Sequence, residues 1–131
     1  MAGQPSSAPK YLRLGDIECY CVSFALSNVV WHEVNGWSGL AQRTVGEQFI
    51  RAVDSISANI AEGFGRYGKK DKIKFYRIAN GSLFEALDWN EKAKVRQLIS
   101  LAQYSHVFQE LQQLPKMINA LVKYTNSHLT I

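Results

Sequence analysis

The sequence of 131 residues predicts an all-α protein, an up-down-up-down antiparallel four-helix bundle. Apolar residues recur every three or four positions over four long stretches, which is the period of an α-helix. No stretch of useful length alternates apolar and polar residues, as a half-buried strand does. The links between the four stretches are short, and short links place consecutive helices side by side in opposite directions.

The composition indicates one domain, with 47% hydrophobic and 20% charged residues. Residues 1–10 lack apolar periodicity and predict a disordered N-terminal tail, so residues 11–131 form the single predicted domain. No apolar run approaches the roughly 18 residues that a membrane span requires. The first residues also lack the apolar stretch of a secretory signal. We therefore expect a cytoplasmic protein without a membrane partner.

The first predicted helix covers about residues 16–34. Asp16 is a plausible N-cap, and Asn35 with Gly36 forms a C-terminal stop signal. Cys19 and Cys21 are two positions apart on this helix and face different directions, so they cannot form a disulfide. We expect both thiols to be buried.

The second predicted helix begins between Ser38 and Val45 and carries one apolar face. Thr44 and Glu47 have the spacing of a capping box, in which each side chain satisfies a free backbone N–H group. A cluster of glycines ends this helix: Gly63, Gly65 and Gly68.

The third predicted helix covers about residues 69–98 and is apolar on two sides. Two apolar sides indicate two neighbours, either within a bundle or across a subunit contact. Gly81 costs about 1 kcal/mol relative to alanine in a helix interior. We expect close packing against another backbone at this position.

The fourth predicted helix covers about residues 102–126 and has the narrow apolar seam of a bundle helix. Pro115 removes one backbone hydrogen bond and clashes with the preceding turn. The apolar register continues unchanged past the proline, which predicts one kinked helix rather than two helices.

Positive charge is concentrated at the start of the third helix. The chain has a net charge of +4, but residues 63–84 alone hold six basic residues and one acid. Lysines in a first helical turn oppose the helix dipole, and together with free N–H groups they can bind an anion. We expect a nucleic-acid backbone to bind here, although such a run also fits a merely solvated face. The candidate contacts are Arg66, Lys69, Lys70, Lys72, Lys74 and Arg77.

The glycines before these lysines match two nucleotide-binding patterns, G-x-G-x-x-G and, almost, G-x-x-x-x-G-K-[ST]. Each pattern requires a preceding strand, whereas a helix is predicted here. Lys70 also replaces the hydroxyl that would hold Mg²⁺. The segment is better explained as a glycine-rich turn between two antiparallel helices, and we expect no cofactor.

Catalytic patterns are weak throughout the sequence. The three histidines, His32, His106 and His128, share no metal-ligand spacing. Asn59 and Glu62 lie on one helical face and form a polar signature together with Gly63 and Gly81. Such a pair most often satisfies backbone groups or binds an arginine such as Arg77. A substrate-binding role for the pair is the remote alternative, and we expect no enzyme and no metal site.

Residues 51–66, RAVDSISANIAEGFGR, and residues 74–83, KFYRIANGSL, resemble the signature of the 23S ribosomal RNA intervening-sequence family. The resemblance is specific over about residues 48–87, and it departs at Ser57 and Asn80. It implies a bacterial four-helix bundle that assembles as a ring, typically a homopentamer, without established enzymatic activity. Distant relatives serve diversity-generating retroelements, where they bind nucleic acid and a reverse transcriptase.

Two functional hypotheses follow from the sequence. The first is a homo-oligomer that binds RNA or DNA through the basic residues at the start of helix three. The second is a protein-interaction scaffold in which the same basic residues contact an acidic protein partner and no nucleic acid is bound.

Overall fold

The structure is a computed structural model that describes residues 13–131. Its long helices are α1 (Glu18–Asn35), α2 (Glu47–Phe64), α3 (Lys69–Val95) and α4 (Leu101–His128). A 3-10 turn (Leu14–Asp16) precedes α1, and a short helix (Gly39–Ala41) with a π-helical turn (Gln42–Gly46) leads into α2. Residues 13–131 contain no strand. The tail predicted for residues 1–10 lies outside the described residues, as do residues 11 and 12.

The helices form the predicted antiparallel four-helix bundle. α1 and α3 each pack against both α2 and α4, so α1 and α3 lie diagonally across the bundle. At one end, the Lys69 ammonium group donates a hydrogen bond to the Asn126 carbonyl. At the other end, the Asn90 side chain donates to the Tyr104 carbonyl. None of the helices in the described part of the chain is long and apolar enough to cross a membrane.

Each long helix contributes fully buried apolar side chains to one core, among them Val30, Phe49, Leu83 and Leu111. Burial of a side chain of this size contributes about 1.5–3 kcal/mol. The predicted seam of α4 is largely confirmed, because its central residues are buried. Pro115 lies inside α4 and does not divide it, as predicted.

The start of α1 differs from the prediction. Ile17, not Asp16, is the N-cap of α1. Asp16 belongs to the preceding 3-10 turn, where its carboxylate accepts a hydrogen bond from the Arg13 N–H group. Cys19 is buried as expected, but Cys21 is exposed and its thiol donates to the Gly15 carbonyl.

The predicted capping box of Thr44 and Glu47 is wrong. The chain is already helical from Gly39, after the extended residue Ser38. The Thr44 hydroxyl therefore donates to the Leu40 carbonyl one turn earlier, at 2.8 Å, and caps no helix start. The sequence pattern fits a cap, but the residues before Thr44 continue the helix.

Close contact between α1 and the start of α2 accounts for this early helix. A Cβ atom at Gly46 would lie 2.6 Å from Cγ1 of Val34, so only glycine allows this approach. The Gln42 side chain donates to the carbonyls of Val34 and Asn35, both at 3.1 Å, and so joins the end of α1 to the helical segment that leads into α2.

The third helix ends at Val95 rather than near residue 98. Gln97 has a φ of 60°, and the Leu98 N–H group donates to the Ala93 carbonyl at 2.9 Å. This is a Schellman ending built without glycine. Ser100 then caps α4 through a capping box with Gln103.

Candidate nucleic-acid interface

The glycine-rich segment forms the predicted turn between two helices. Gly65 follows the last residue of α2, and its N–H group donates to the Ala61 carbonyl at 3.1 Å. A Cβ atom at Gly63 would lie 2.9 Å from the Lys72 carbonyl oxygen and 2.7 Å from the Tyr76 ring. Gly63 therefore allows α2 and α3 to approach closely just before the turn.

Lys72, a predicted nucleic-acid contact, stabilises the end of α2. Its ammonium group donates to the Phe64 carbonyl at 2.7 Å and lies 5.4 Å from the centre of the Phe64 ring. The last carbonyls of a helix carry partial negative charge and lack intrahelical donors. Partial burial lowers the pKa of Lys72. The Lys72 ammonium group is therefore held at the end of α2 by this hydrogen bond.

Lys69 has a comparable role at the end of α4. Its backbone N–H group donates to the Ile131 carbonyl at 2.6 Å, and its ammonium group donates to the Asn126 carbonyl at 3.3 Å. Two helix C-termini thus meet the start of α3, because the bundle is antiparallel. Their carbonyls offset the unfavourable placement of these two lysines against the dipole of α3.

Arg66 and Lys74 both lie near the Phe75 ring. The Arg66 guanidinium carbon is 4.7 Å from the ring centre, and the Lys74 nitrogen is 5.8 Å from it. Arg66 also forms an ion pair with Glu62 at 2.7 Å. Glu62 therefore binds Arg66, not Arg77. Such exposed pairs contribute little to stability, and both cations remain accessible.

Asn59 has a structural role. Its amide donates to the backbone carbonyl and to the hydroxyl of Ser55, at 2.8 and 2.9 Å. Ser55 in turn contacts the Ser82 hydroxyl on α3 at 2.9 Å. Asn59 and Ser82 therefore belong to one polar network that joins α2 to α3.

Gly81 differs from the prediction. A Cβ atom at this position would meet nothing within 4 Å among residues 13–131, so the predicted close backbone contact is absent from this part of the chain. The residue lies on the exposed face of α3.

Lys70 and Arg77 are exposed and lie two helical turns apart on α3. Neither forms an ion pair with any residue of the 13–131 range. Arg77 borders a groove between α3 and α4 with a volume of about 180 Å³. The groove is lined by Arg77, Asn80, Pro115, Ile118, Asn119 and Val122.

The second half of α4 adds positive charge beyond the cations predicted to bind nucleic acid. Lys116 and Lys123 are exposed, and residues 111–131 contain no aspartate or glutamate. The contact between Lys69 and Asn126 places this part of α4 beside the start of α3. An absence of acids after Glu110 is the sequence signal that would have identified it.

We call residues 66–84 and 111–131 together the basic face. They hold eight basic residues and one acid, a net charge of +7, whereas the remainder holds seven basic and ten acidic residues, a net charge of −3. The antiparallel fold brings these two segments together on α3 and α4. Within residues 13–131, no group of three or more histidine, cysteine, aspartate or glutamate residues could hold a metal ion.

Comparison with known proteins agrees with this architecture. The chain is similar to a protein of unknown function from the S23 ribosomal protein family of Bacteroides thetaiotaomicron VPI-5482, known from a crystal structure at 1.70 Å resolution. The TM-score is 0.71 at 19% identity, over 80% of this chain and 98% of the other. No curated protein matches the chain. The sequence model for the 23S rRNA-intervening sequence protein family matches residues 15–120. The chain therefore belongs to the 23S rRNA-intervening sequence protein family.

Proposed function

We propose that this protein is a non-enzymatic homo-oligomer that binds nucleic acid through its basic face. The observation that carries the proposal is the separation of charge, +7 on the basic face against −3 elsewhere. A phosphate backbone is recognised chiefly by such charge, without regard to sequence. We assign the phosphate contacts to Arg66, Lys70, Lys74, Arg77, Lys116 and Lys123. Lys69 and Lys72 instead donate hydrogen bonds to carbonyls at the ends of α4 and α2.

Tyr67 supports binding of an unpaired strand. It lies between Arg66 and the start of α3, and 84% of its surface is exposed. A large apolar ring costs free energy when it is left in water. Beside cations, such a ring offers a stacking surface for a base, at about 1–3 kcal/mol per base.

Exposed apolar side chains on α1 support self-association. Phe24 and Trp31 lie two turns apart on α1 and are 51% and 53% exposed. Ile78 and Phe84 on α3 are also exposed, but they belong to the basic face and, six residues apart, they point in different directions around the helix. Large apolar side chains grouped on a surface often mark an interface.

The position of the α1 face favours a ring. α1 and α3 are diagonal in the bundle, so a contact made by the α1 face leaves the basic face on α3 open. Contact between two different faces of successive copies is heterologous, and such contacts close into rings when the rotation permits. The number of five subunits comes from the family resemblance. Five copies at +4 would carry +20, which strengthens the field acting on a nucleic acid.

Fluorescence anisotropy with a labelled single-stranded RNA and DNA tests the binding. We expect the affinity to fall steeply between about 50 and 200 mM salt. The double variant Lys70→Gln/Arg77→Gln should weaken binding about tenfold or more. The matched control is Arg43→Gln/Arg96→Gln, which removes the same charge at the opposite end of the bundle.

Three results would count against the proposal. Absence of binding at micromolar protein and low salt would exclude it. An equal loss for the two double variants would show that the basic face has no special role. Capture of an acidic protein that survives nuclease treatment, without nucleic-acid affinity, would favour the scaffold hypothesis instead.

Sedimentation and native mass spectrometry test the assembly. We expect a pentamer for the natural chain and a smaller species for Trp31→Glu, which places a charge in the α1 face. Leu40→Glu is the control, because Leu40 is 68% exposed outside the α1 face. A monomeric natural chain at micromolar concentration would refute the ring.

A further inference from the structure

The groove between α3 and α4 beside Arg77 contains polar side-chain groups that lack hydrogen-bond partners in the described structure. Oδ1 of Asn80 is buried and has no hydrogen-bond partner in the described structure. Asn119 brings a second, exposed amide to the same groove. An unsatisfied buried polar atom costs about 1–3 kcal/mol.

These groups suit the edge of a planar ligand with both donors and acceptors. An asparagine amide pairs with adenine through two hydrogen bonds, to the exocyclic amine and to a ring nitrogen. The terminal torsion of asparagine has two broad minima, so rotation can turn Oδ1 or Nδ2 of Asn80 toward the groove. Binding of such an edge would satisfy the acceptor that the fold leaves open.

Apolar residues form the floor of the groove and present a narrow apolar strip to a ligand. Ile118 and Val122 are buried, with 2% and 6% of their surfaces exposed, and Pro115 is half-buried beside them. The volume of about 180 Å³ leaves room for one planar base.

Positive charge borders the groove and is suited to a phosphate group. Arg77 borders the groove and is exposed, and its guanidinium group is suited to bidentate contact with a phosphate. Lys70 continues the same stripe of α3, and Lys123 lies one turn beyond Asn119 on α4. A strand whose nucleotide entered the groove would therefore meet cations on both helices.

We infer that this groove binds one unpaired adenine nucleotide of a nucleic-acid strand, with its base between Asn80 and Asn119 and its phosphate on Arg77. The inference rests on the proposed function and specifies its ligand. A base within a duplex cannot enter, because its edge is paired and its faces are stacked.

Anisotropy measurements with labelled oligo(A), oligo(U) and an A·U duplex test the inference. We expect oligo(A) to bind about tenfold more tightly than oligo(U) and the duplex, which corresponds to about 1.4 kcal/mol. Asn80→Ala should reduce the affinity for oligo(A) to that for oligo(U). The control Asn28→Ala removes an exposed asparagine on α1 and should preserve the preference.

A second measurement does not depend on the folding of a variant. An oligonucleotide carrying an azide-bearing adenine, photo-crosslinked to the natural protein, should label the α4 peptide that contains Pro115 and Val122. Labelling only of other peptides would overturn the inference.

The other outcomes separate the inference from the proposed function. Equal binding of oligo(A), oligo(U) and duplex would refute the groove site and leave nucleic-acid binding standing. Absence of binding to all three would refute both. Binding of adenosine monophosphate as tight as that of oligo(A) would show that the groove takes a free nucleotide rather than part of a strand.

Discussion

Gly63 of α2 lies against the ring of Tyr76 of α3, so closely that a Cβ atom on Gly63 would be 2.7 Å from Cε1 of the ring. The Tyr76 side chain is buried, with 2% of its surface exposed, and burial raises the pKa of its hydroxyl to about 12. The ring therefore has little room to move. This contact sets the distance between the two helices beside the basic turn.

Gly63→Ala is expected to lower the free energy of unfolding by about 1–3 kcal/mol, because an added methyl group in a packed site forces strain. Alanine favours a helix by about 1 kcal/mol over glycine, which offsets part of this loss. Urea denaturation at fixed protein concentration measures the difference. The control is Gly81→Ala, where a Cβ atom meets nothing within 4 Å. A stabilised Gly63→Ala variant would contradict the packing argument.

The sequence was sufficient to predict the four helices and their antiparallel order, because apolar periodicity reports which side of a helix is buried. The exact ends of the helices could be predicted from the sequence less well. Thr44 has the spacing of a cap but lies inside a helical turn, and Gln97 adopts a left-handed conformation that glycine usually marks. Both depend on how neighbouring segments pack, which local patterns do not record.

The candidate site was predicted in part, for a related reason. Lys69 and Lys72 look free in the sequence, since their carbonyl partners at Asn126 and Phe64 belong to other helices. Lys116 and Lys123 are far from the basic cluster along the chain and become its neighbours only through the α3–α4 pairing. Charge counts along a sequence cannot show which cations donate hydrogen bonds to helix ends, or which cations lie next to each other in the folded chain.

Gln97→Gly should raise the free energy of unfolding by about 0.5–1 kcal/mol. The φ of Gln97 is 60°, and a side chain in this region costs free energy that glycine avoids. Thermal or urea unfolding measures the change. Arg96→Gly is the control, since Arg96 has a φ of −86°, where glycine brings no relief of strain and only a loss of chain stiffness. Equal effects of the two changes would refute the account of the α3 ending.

The carboxyl group of Glu33 is expected to make the free energy of unfolding depend on pH. Burial raises the pKa of its carboxyl from 4.5 to about 7, and its buried Oε1 atom has no hydrogen-bond partner among residues 13–131. Between these two values the folded state binds more protons than the unfolded state, so this contribution to stability decreases as the pH rises through about 7. Glu33→Gln removes the ionisation.

The measurement for Glu33 is the melting temperature as a function of pH. Glu33→Gln should be more stable than the natural chain above the folded pKa, and the advantage should shrink toward acidic pH. Glu47→Gln, an exposed glutamate at the start of α2, is the control. A constant difference across the pH range would show that burial of Glu33 does not control its ionisation.

Lys70 and Lys72 should separate binding from folding, although both lie at the start of α3. Lys72→Met keeps the apolar stem but removes the hydrogen bond to the Phe64 carbonyl, and we expect a loss of about 1 kcal/mol in stability. Lys70→Met removes an exposed cation that forms no ion pair with the described residues, and stability should change by less than about 0.5 kcal/mol. Paired urea denaturation and anisotropy measurements at low salt compare the two variants.

We expect the greater loss of nucleic-acid affinity for Lys70→Met, because its ammonium group faces solvent while that of Lys72 is held at the end of α2. If Lys72→Met instead remained fully stable and lost more affinity, Lys72 would be a ligand contact rather than a cap of α2.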